Sequence, residues 1–407
     1  MAVEMNEVDG EEVRYAGCQH CPSIVNVPDM FTARVEVSVI TTELQWEALQ
    51  PEWNGLLQDS TADGVFLTWE WVDSWLKIFE RVEDWWVLTA RTADGVLAGV
   101  APMMIHRDPR LKLRRLVLVG QDGDTSAEYL EWMLRRGWEE VVSLAFARHL
   151  LIAGRSHWDV LEFDMMRAAA DAFPSFTNAL QSVGLRPVSA TRGYAPYAAL
   201  PLTWDEFLQR HSASLRQRWR RFGRQQQVRL LTGGQEVTVE AGMDRIRDMN
   251  QARWQESGQS FRTERYLRFH REVARRFHTR GWLAMLFLEV KGDILAGRYD
   301  FAYGGKCWNF QGGWVPGHEK LSLGKMLLME EVKWCVERGL KEYDFLAGEA
   351  SYKDEWATGR RRLARVEAIN PHSMRGRLFF MLRWLKRMLR PVRREASAST
   401  GSMAQPS

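Results

Sequence analysis

Hydrophobic and polar positions in the last third of the chain switch between two periods. Residues 298–303 and 307–312 are β-rich and are joined at Gly304-Gly305, a turn dipeptide that predicts a hairpin. A loop follows, with Pro316, Gly317 and the polar run His318-Glu319-Lys320. From Leu323 to about Arg338 apolar residues recur with a helical period, at Leu323, Leu327, Val332 and Val336. Gly339 stands where such a helix stops. Residues 342–346 then read as a short strand, Gly348 breaks it, and Ser351-Tyr352-Lys353 opens another helix.

The earlier chain shows the same alternation. Residues 35–40 alternate as a strand, and 42–57 and 66–79 carry helical spacing. Strands are expected at 85–91 and 96–106 around the turn Ala93-Asp94-Gly95, and again at 116–119, 158–164 and 187–200. Helices are expected at 129–137, 139–152 and about 172–183. Past 203 the order repeats: helices at 244–256 and 263–280, a strand at 282–290, a turn at Gly292-Asp293 and a strand from Ile294. Leu97-Ala98-Gly99 and Leu295-Ala296-Gly297 even share letters behind their turns. The expected fold class is α/β, two copies of one unit with mixed sheets. The expected units are a loose arm at 1–33, a first domain at 34–202, a second at 203–370, and a basic helix with a tail at 371–407.

Composition narrows the classes. A chain of 407 residues has ample core for two or three domains. A net charge of +3 with 26% charged residues carries no strong nucleic-acid bias. No run of 18 uncharged apolar residues occurs, and Met1–Gly10 is acidic and polar, so a cytoplasmic setting is expected. Cys18, Cys21, Cys307 and Cys335 are too few and scattered for a disulfide scaffold. Cys18-Gln19-His20-Cys21 lacks a partner pair for a closed zinc site, so no metal is expected.

Several stretches carry candidate chemistry. Lys320-Leu321-Ser322-Leu323-Gly324-Lys325 lies between a strand and a helix start, where free amides and the helix dipole favour an anion. Alternatively Ser322 is an N-cap and Gly324 a packing accommodation. In the first copy the corresponding loop holds Asp122 and Asp124, which repel phosphate and suit hydroxyl or amine hydrogen bonding, or form a solvated turn. The helix expected at 215–227 carries Arg216, Arg218, Arg220, Arg221 and Arg224 without an acid; it is either a solvated face or a phosphate site. Trp308 and Trp314 border the central loop and are the two tryptophans placed to stack on a sugar. Cys307 and Cys335 lie among apolar residues and read as inert core. Residues 374–390 form a basic amphipathic helix that either covers the protein's own core or lies on an anionic membrane.

One family is resembled. Leu321-Ser322-Leu323-Gly324 before a long helix, then Gly339, Tyr343-Asp344-Phe345-Leu346, Gly348, Tyr352-Lys353 and Trp356, is similar in order and spacing to the second repeat of tandem GNAT-like acyltransferases. These are related to FemX-type aminoacyl transferases and to acetyltransferases of bacterial polysaccharide (cellulose) synthesis loci. Leu321, Leu323 and Met326 replace parts of the family's donor-loop signature.

The resemblance implies an acyl-CoA donor, acetyl-CoA first, held by residues 320–325. It implies that Tyr352 protonates the leaving thiolate and that Lys353 sets a charge near the acyl group. Glu349 and Asp344 are the candidate bases, although Asp344 between Tyr343 and Phe345 also reads as a buried structural acid. The acceptor expected is an amine or hydroxyl of a sugar or glycoconjugate. Two alternatives stay open: an aminoacyl-tRNA donor with the arginine helix on RNA or precursor phosphates, and a non-catalytic scaffold docked on the inner membrane through the last helix.

Overall fold

The computed structural model describes residues 34–388 apart from 80–83, 122–124, 126, 169–171, 226, 255–260, 262 and 349–350. The chain opens with strand β1 (Val35–Ile40) and two helices, α1 (Glu43–Glu47) and α2 (Gln50–Asp59). The sequence predicts one helix here. Pro51, in the first turn of α2, lacks the amide needed to continue α1 and starts a new helix instead. Helix α3 (Trp69–Phe79) leads to β2 (Val87–Thr92) and β3 (Leu97–Ala101).

Residues 96–106 are expected as one strand, but Pro102 divides them. β3 and β4 (Met103–Arg107) belong to different sheets. Pro102 has no amide to give a ladder, while its carbonyl accepts from the Val119 amide at 3.0 Å. β5 (Arg114–Leu118) follows. The helix expected at 129–137 is absent; this stretch contains the short strand β6 (Met133–Leu134), paired with β3. Tyr129–Leu134 are all buried, so no polar face exists to reveal a period.

Helix α4 (Glu139–Leu151), strand β7 (Val160–Arg167), helix α5 (Ala172–Ser182) and strand β8 (Val188–Ala199) complete the first half. Two helices, α6 (Trp204–Gln209) and α7 (Ala213–Gln225), lead to β9 (Val228–Thr232), a strand the pattern did not predict. Helices α8 (Val239–Trp254) and α9 (Glu264–Arg280) follow. α9 starts on the Thr263 side chain, which accepts from the Tyr266 amide, and stops at left-handed Gly281. Strands β10 (Leu283–Val290), β11 (Asp293–Tyr303) and β12 (Lys306–Trp314) run antiparallel. Helix α10 (Leu323–Glu337), strand β13 (Glu342–Asp344), helix α11 (Ser351–Trp356), strand β14 (Gly359–Ile369) and helix α12 (Met374–Met388) end the described chain.

Among the described residues fourteen strands make two sheets, an antiparallel one of four strands (β1-β2-β3-β6) and a mixed one of ten (β4-β5-β7-β14-β8-β13-β12-β11-β10-β9). The large sheet crosses the junction near residue 202 without a break. β8, from the first half, pairs with β13 of the second, and β14, from the second, pairs with β7 of the first. The last strand of each half is thus seated in the other's sheet. In both halves an antiparallel run ends in a parallel pair: β5 with β7, and β12 with β13. Most tryptophans fill the core beneath, Trp46, Trp53, Trp71 and Trp75 among them.

Candidate functional site

The second parallel pair is short. β12 meets β13 only at Lys306–Glu342, Cys307–Tyr343 and Trp308–Asp344, and β12 then runs on without β13 to Trp314, still paired with β11 on its other side. Where the strands part, a cavity of about 580 Å³ opens on the α10 side, lined by Arg298, Gly312, Trp314, residues 322–325, Tyr352, Glu355 and Trp356 among others. A bulge at this point bends β12. The Asp300 carboxylate accepts from the Phe310 and Gln311 amides at 2.6 and 3.2 Å, holding the bend in place.

One wall is the start of α10. Ser322 sits in the left-handed region at φ 52°, and its side chain caps nothing. Its carbonyl instead takes the Lys325 and Met326 amides at 3.0 and 3.1 Å. Among the described residues, no acceptor meets the amides of Leu323 and Gly324, so two open donors stand at the positive end of the helix dipole. Gly324 has a steric reason as well, because the Trp314 ring lies directly against it. Lys325 Nζ pairs with Glu355 at 3.0 Å on a partly exposed surface. Lys320 and Leu321 form a 3-10 turn with Glu319; neither lines the cavity, although Glu319 does.

Behind the cavity lies a polar cluster that the sequence reading did not identify. Arg298 Nε meets Asp300 at 2.6 Å and Glu331 at 2.7 Å. The Tyr343 hydroxyl donates to Glu331 at 2.6 Å and accepts from Asn309 Nδ2 at 2.6 Å. All of these side chains are buried or nearly so. Burial, with the Asp300 charge beside it, pushes Glu331 well above the usual carboxylate range despite Arg298. One guanidinium therefore serves two carboxyls, and burial favours the protonated form of Glu331. A signal was present: an arginine and an aspartate two apart on a strand share one face, and Glu331 interrupts an otherwise apolar helix run.

A second cluster gathers around Asp344 and joins the halves. Tyr129 donates to Asp344 at 2.8 Å, Arg361 donates at 3.0 Å, and the Leu346 amide donates at 2.8 Å. Burial lifts the Asp344 carboxyl to about 6. With three donors on it and no place in the cavity wall, Asp344 acts as the structural acid of the two roles expected. Lys353 is buried too, and its ammonium donates to the Leu346 and Ala347 carbonyls at 3.2 and 2.7 Å. Burial lowers its pKa, opposed by the nearby Glu128 and Asp344 charges. Glu128, from the first half, accepts from the Ala347 amide at 2.7 Å and is pushed up to about 8, by burial first and by Asp344 second. No spacing in the sequence links Glu128 to Lys353; only the exchanged strands bring them together.

The remaining expected residues fall in three places. Trp308 faces the first half, buried edge-on against Tyr129 at 5.5 Å, and is no sugar platform. Trp314 does reach the cavity. Arg220 and Arg224 are exposed and Arg216 half-buried on α7, outside the cavity, while Trp219 on the same helix donates to Glu330 of α10 at 2.7 Å. Asp122, Asp124 and Glu349 lie outside the described residues, as do Cys18 and Cys21. Next to the first pair, Gln121 closes the first half's parting strands: its side-chain oxygen accepts from the Leu118 and Asp164 amides at 3.3 and 3.0 Å, and its side-chain nitrogen, Nε2, donates to the Glu162 carbonyl at 2.8 Å. The second half keeps that gap open.

Comparison with known proteins agrees with this geometry. Residues 209–354 match a family model described as the acetyltransferase (GNAT) domain. No curated protein matches the chain. Among solved structures, FemX is similar at a TM-score of 0.61 and 10% identity, over 82% of this chain and 98% of that one. L-PGS from Bacillus licheniformis (TM-score 0.48, 12% identity, 83% of this chain and 96% of that one) is also similar. So is a tandem GNAT protein from the clavulanic acid biosynthesis pathway, with TM-score 0.46 and 12% identity over 84% of this chain and all of that one, 100%. The chain thus has a GNAT-like α/β fold with a mixed central sheet, and residues 209–354 of its second half match the GNAT acetyltransferase domain.

Proposed function

We propose that the protein is an acyltransferase that moves an acyl group, acetyl first, from acyl-CoA to an amine or hydroxyl of a sugar or glycoconjugate in polysaccharide or cell-envelope synthesis. The observation that carries this reading is the cavity where β12 and β13 part, with the Leu323 and Gly324 amides open on its wall. Its residues fit the donor. A pyrophosphate suits two free amides at a helix start. Lys325 sits in a surface ion pair of small worth, so it exchanges Glu355 for a phosphate at little cost. Leu327, Leu328 and Trp356 supply apolar wall, and the volume falls within the usual range for small-molecule sites.

Acyl transfer requires a neutral nucleophile, charge stabilisation at the carbonyl oxygen and a proton for the leaving thiolate. Tyr352 is the hydroxyl on the cavity wall for the last task. Arg298, on the same wall, brings a fixed positive charge held by two carboxyls. Lys353 faces the 346–347 carbonyls and orders the loop after β13.

Thermal unfolding with CoA and acetyl-CoA tests the reading, since a ligand that binds only the folded state raises the melting temperature. A rise with both is expected. A second reading, an aminoacyl-tRNA donor, draws on α7, whose Arg218, Arg220, Arg221 and Arg224 are exposed with no carboxylate partner among the described residues. No shift with either thioester or thiol, together with retention on tRNA, would select it.

A further inference from the structure

Helix α12 is seated on the protein by one side and is apolar on the other. Ser373 and Gly376 are buried at its start, where a Cβ on Gly376 would collide with the Asp159 carbonyl. Phe379 and Phe380 are half-buried, and Arg383 pairs with Glu367 at 3.0 Å. The outer side carries Met374, Leu378, Met381, Leu382 and Leu385, all between 39% and 76% exposed. Their spacing of three and four residues makes one continuous stripe. An ordinary surface helix turns such a stripe inward.

The charges along the helix have one sign. Residues 374–388 contain Arg375, Arg377, Arg383, Lys386 and Arg387 and no acid. Arg375 donates to the Lys112 carbonyl at 3.3 Å, which brings the β4–β5 turn alongside. That turn adds Arg110, Lys112 and a further exposed leucine, Leu111, together with one acid, Asp108, which accepts from the Arg110 and Leu111 amides. Apolar side chains flanked by cations fit the headgroup boundary of an anionic bilayer, where the stripe meets acyl chains and the arginines meet phosphates. A second copy fits poorly, because residues 374–388 carry cations toward both ends and no acid, so pairing α12 with itself in either direction sets like charges together. The helix is too short and too charged to cross the bilayer.

We propose that α12, with the turn at residues 108–112, docks this protein on the surface of an anionic membrane, the helix lying in the plane of the interface. This does not depend on the donor assignment. Sedimentation of the full chain with vesicles tests it, using phosphatidylcholine alone and phosphatidylcholine containing about a third phosphatidylglycerol. Retention at least about tenfold stronger on the anionic vesicles is expected, weakening as salt is raised. The Leu378→Asp/Leu382→Asp and Arg375→Glu/Arg377→Glu variants should each lose about tenfold or more of that retention with the melting temperature unchanged, because these side chains are exposed. Absence of retention, equal retention on neutral vesicles, or full retention by the leucine variant overturns the proposal. So does a concentration-dependent dimer abolished by the leucine variant without vesicle binding by the parent, which assigns the stripe to a second copy.

Discussion

The Trp314 ring lies so close over Gly324 that a Cβ built on the glycine would stand 2.8 Å from a ring carbon. Gly324 therefore sets the shape of the cavity mouth as well as offering an open amide. Gly324→Val should push the indole into the cavity and obstruct that amide. At least about a tenfold loss of acetyl-CoA affinity, or about 1.4 kcal/mol, is expected by calorimetry. Valine is a weaker helix former than alanine, but next to glycine its cost in the first turn is small. A variant that binds the donor as well as the parent would remove the helix start from the site.

Tyr352 lines the same cavity from α11. If its hydroxyl protonates the thiolate, Tyr352→Phe should lower kcat by about 10²–10⁴-fold, the usual worth of a general acid. Donor affinity should change less than about twofold, since the ring stays. Thiol release from acetyl-CoA, measured with whichever amine or hydroxyl acceptor in a panel supports turnover, separates the two effects. Parallel losses in affinity and kcat would make Tyr352 a wall of the pocket only.

The fold near this site was legible because its signals are local. Gly304-Gly305, the helical spacing after Leu323 and Gly339 each mark a boundary within a few residues of chain, and β11, β12 and α10 lie where they point. Pro102 was equally local but was read through, and the run Tyr129–Leu134 gave no period because every side chain is buried. What could not be read was non-local. β14 sits between β7 and β8, so Glu128 meets Ala347 and Tyr129 meets Asp344 across more than two hundred residues. Composition and spacing hold no record of that exchange. Trp308 and Trp314 illustrate the limit: they are six residues apart on one strand, and the bulge at Asp300 lies between them, with Trp308 sealed in the core and Trp314 at the cavity.

Arg298 holds Asp300 and Glu331 out of water. Its removal leaves buried carboxyls without a cation, the case in which one deletion costs far more than the pair contributes. Arg298→Met should destabilise by about 3–5 kcal/mol in urea unfolding. Adding Glu331→Gln should cost little more than the single change, because burial favours protonated Glu331 and leaves Asp300 the larger part of the uncompensated charge. If Glu331→Gln instead restores much of the stability lost with Arg298, Glu331 is ionised in the folded protein and the cluster is charged differently.

Glu128 gives a pH test of the junction between the halves. Its carboxyl stands at about 8 in the folded protein, against an ordinary value of 4.5, because burial disfavours the charge and Asp344 adds repulsion. The folded state binds this proton more tightly than the unfolded state does. The stability contributed by Glu128 is therefore intact below the ordinary value and is lost as pH rises toward about 8, at about 1.4 kcal/mol per unit crossed. Asp344, raised to about 6, acts in the same direction, but it is present in both proteins and largely cancels from their difference. Glu128→Gln keeps an oxygen for the Ala347 amide and has no proton to lose. Its stability relative to the parent should thus rise between about pH 5 and pH 8, reaching a few kcal/mol in urea midpoints at the upper end. A difference that stays flat over that range would mean that Lys353 holds Glu128 ionised as a buried pair, and the polar seam between the halves would then be a salt bridge.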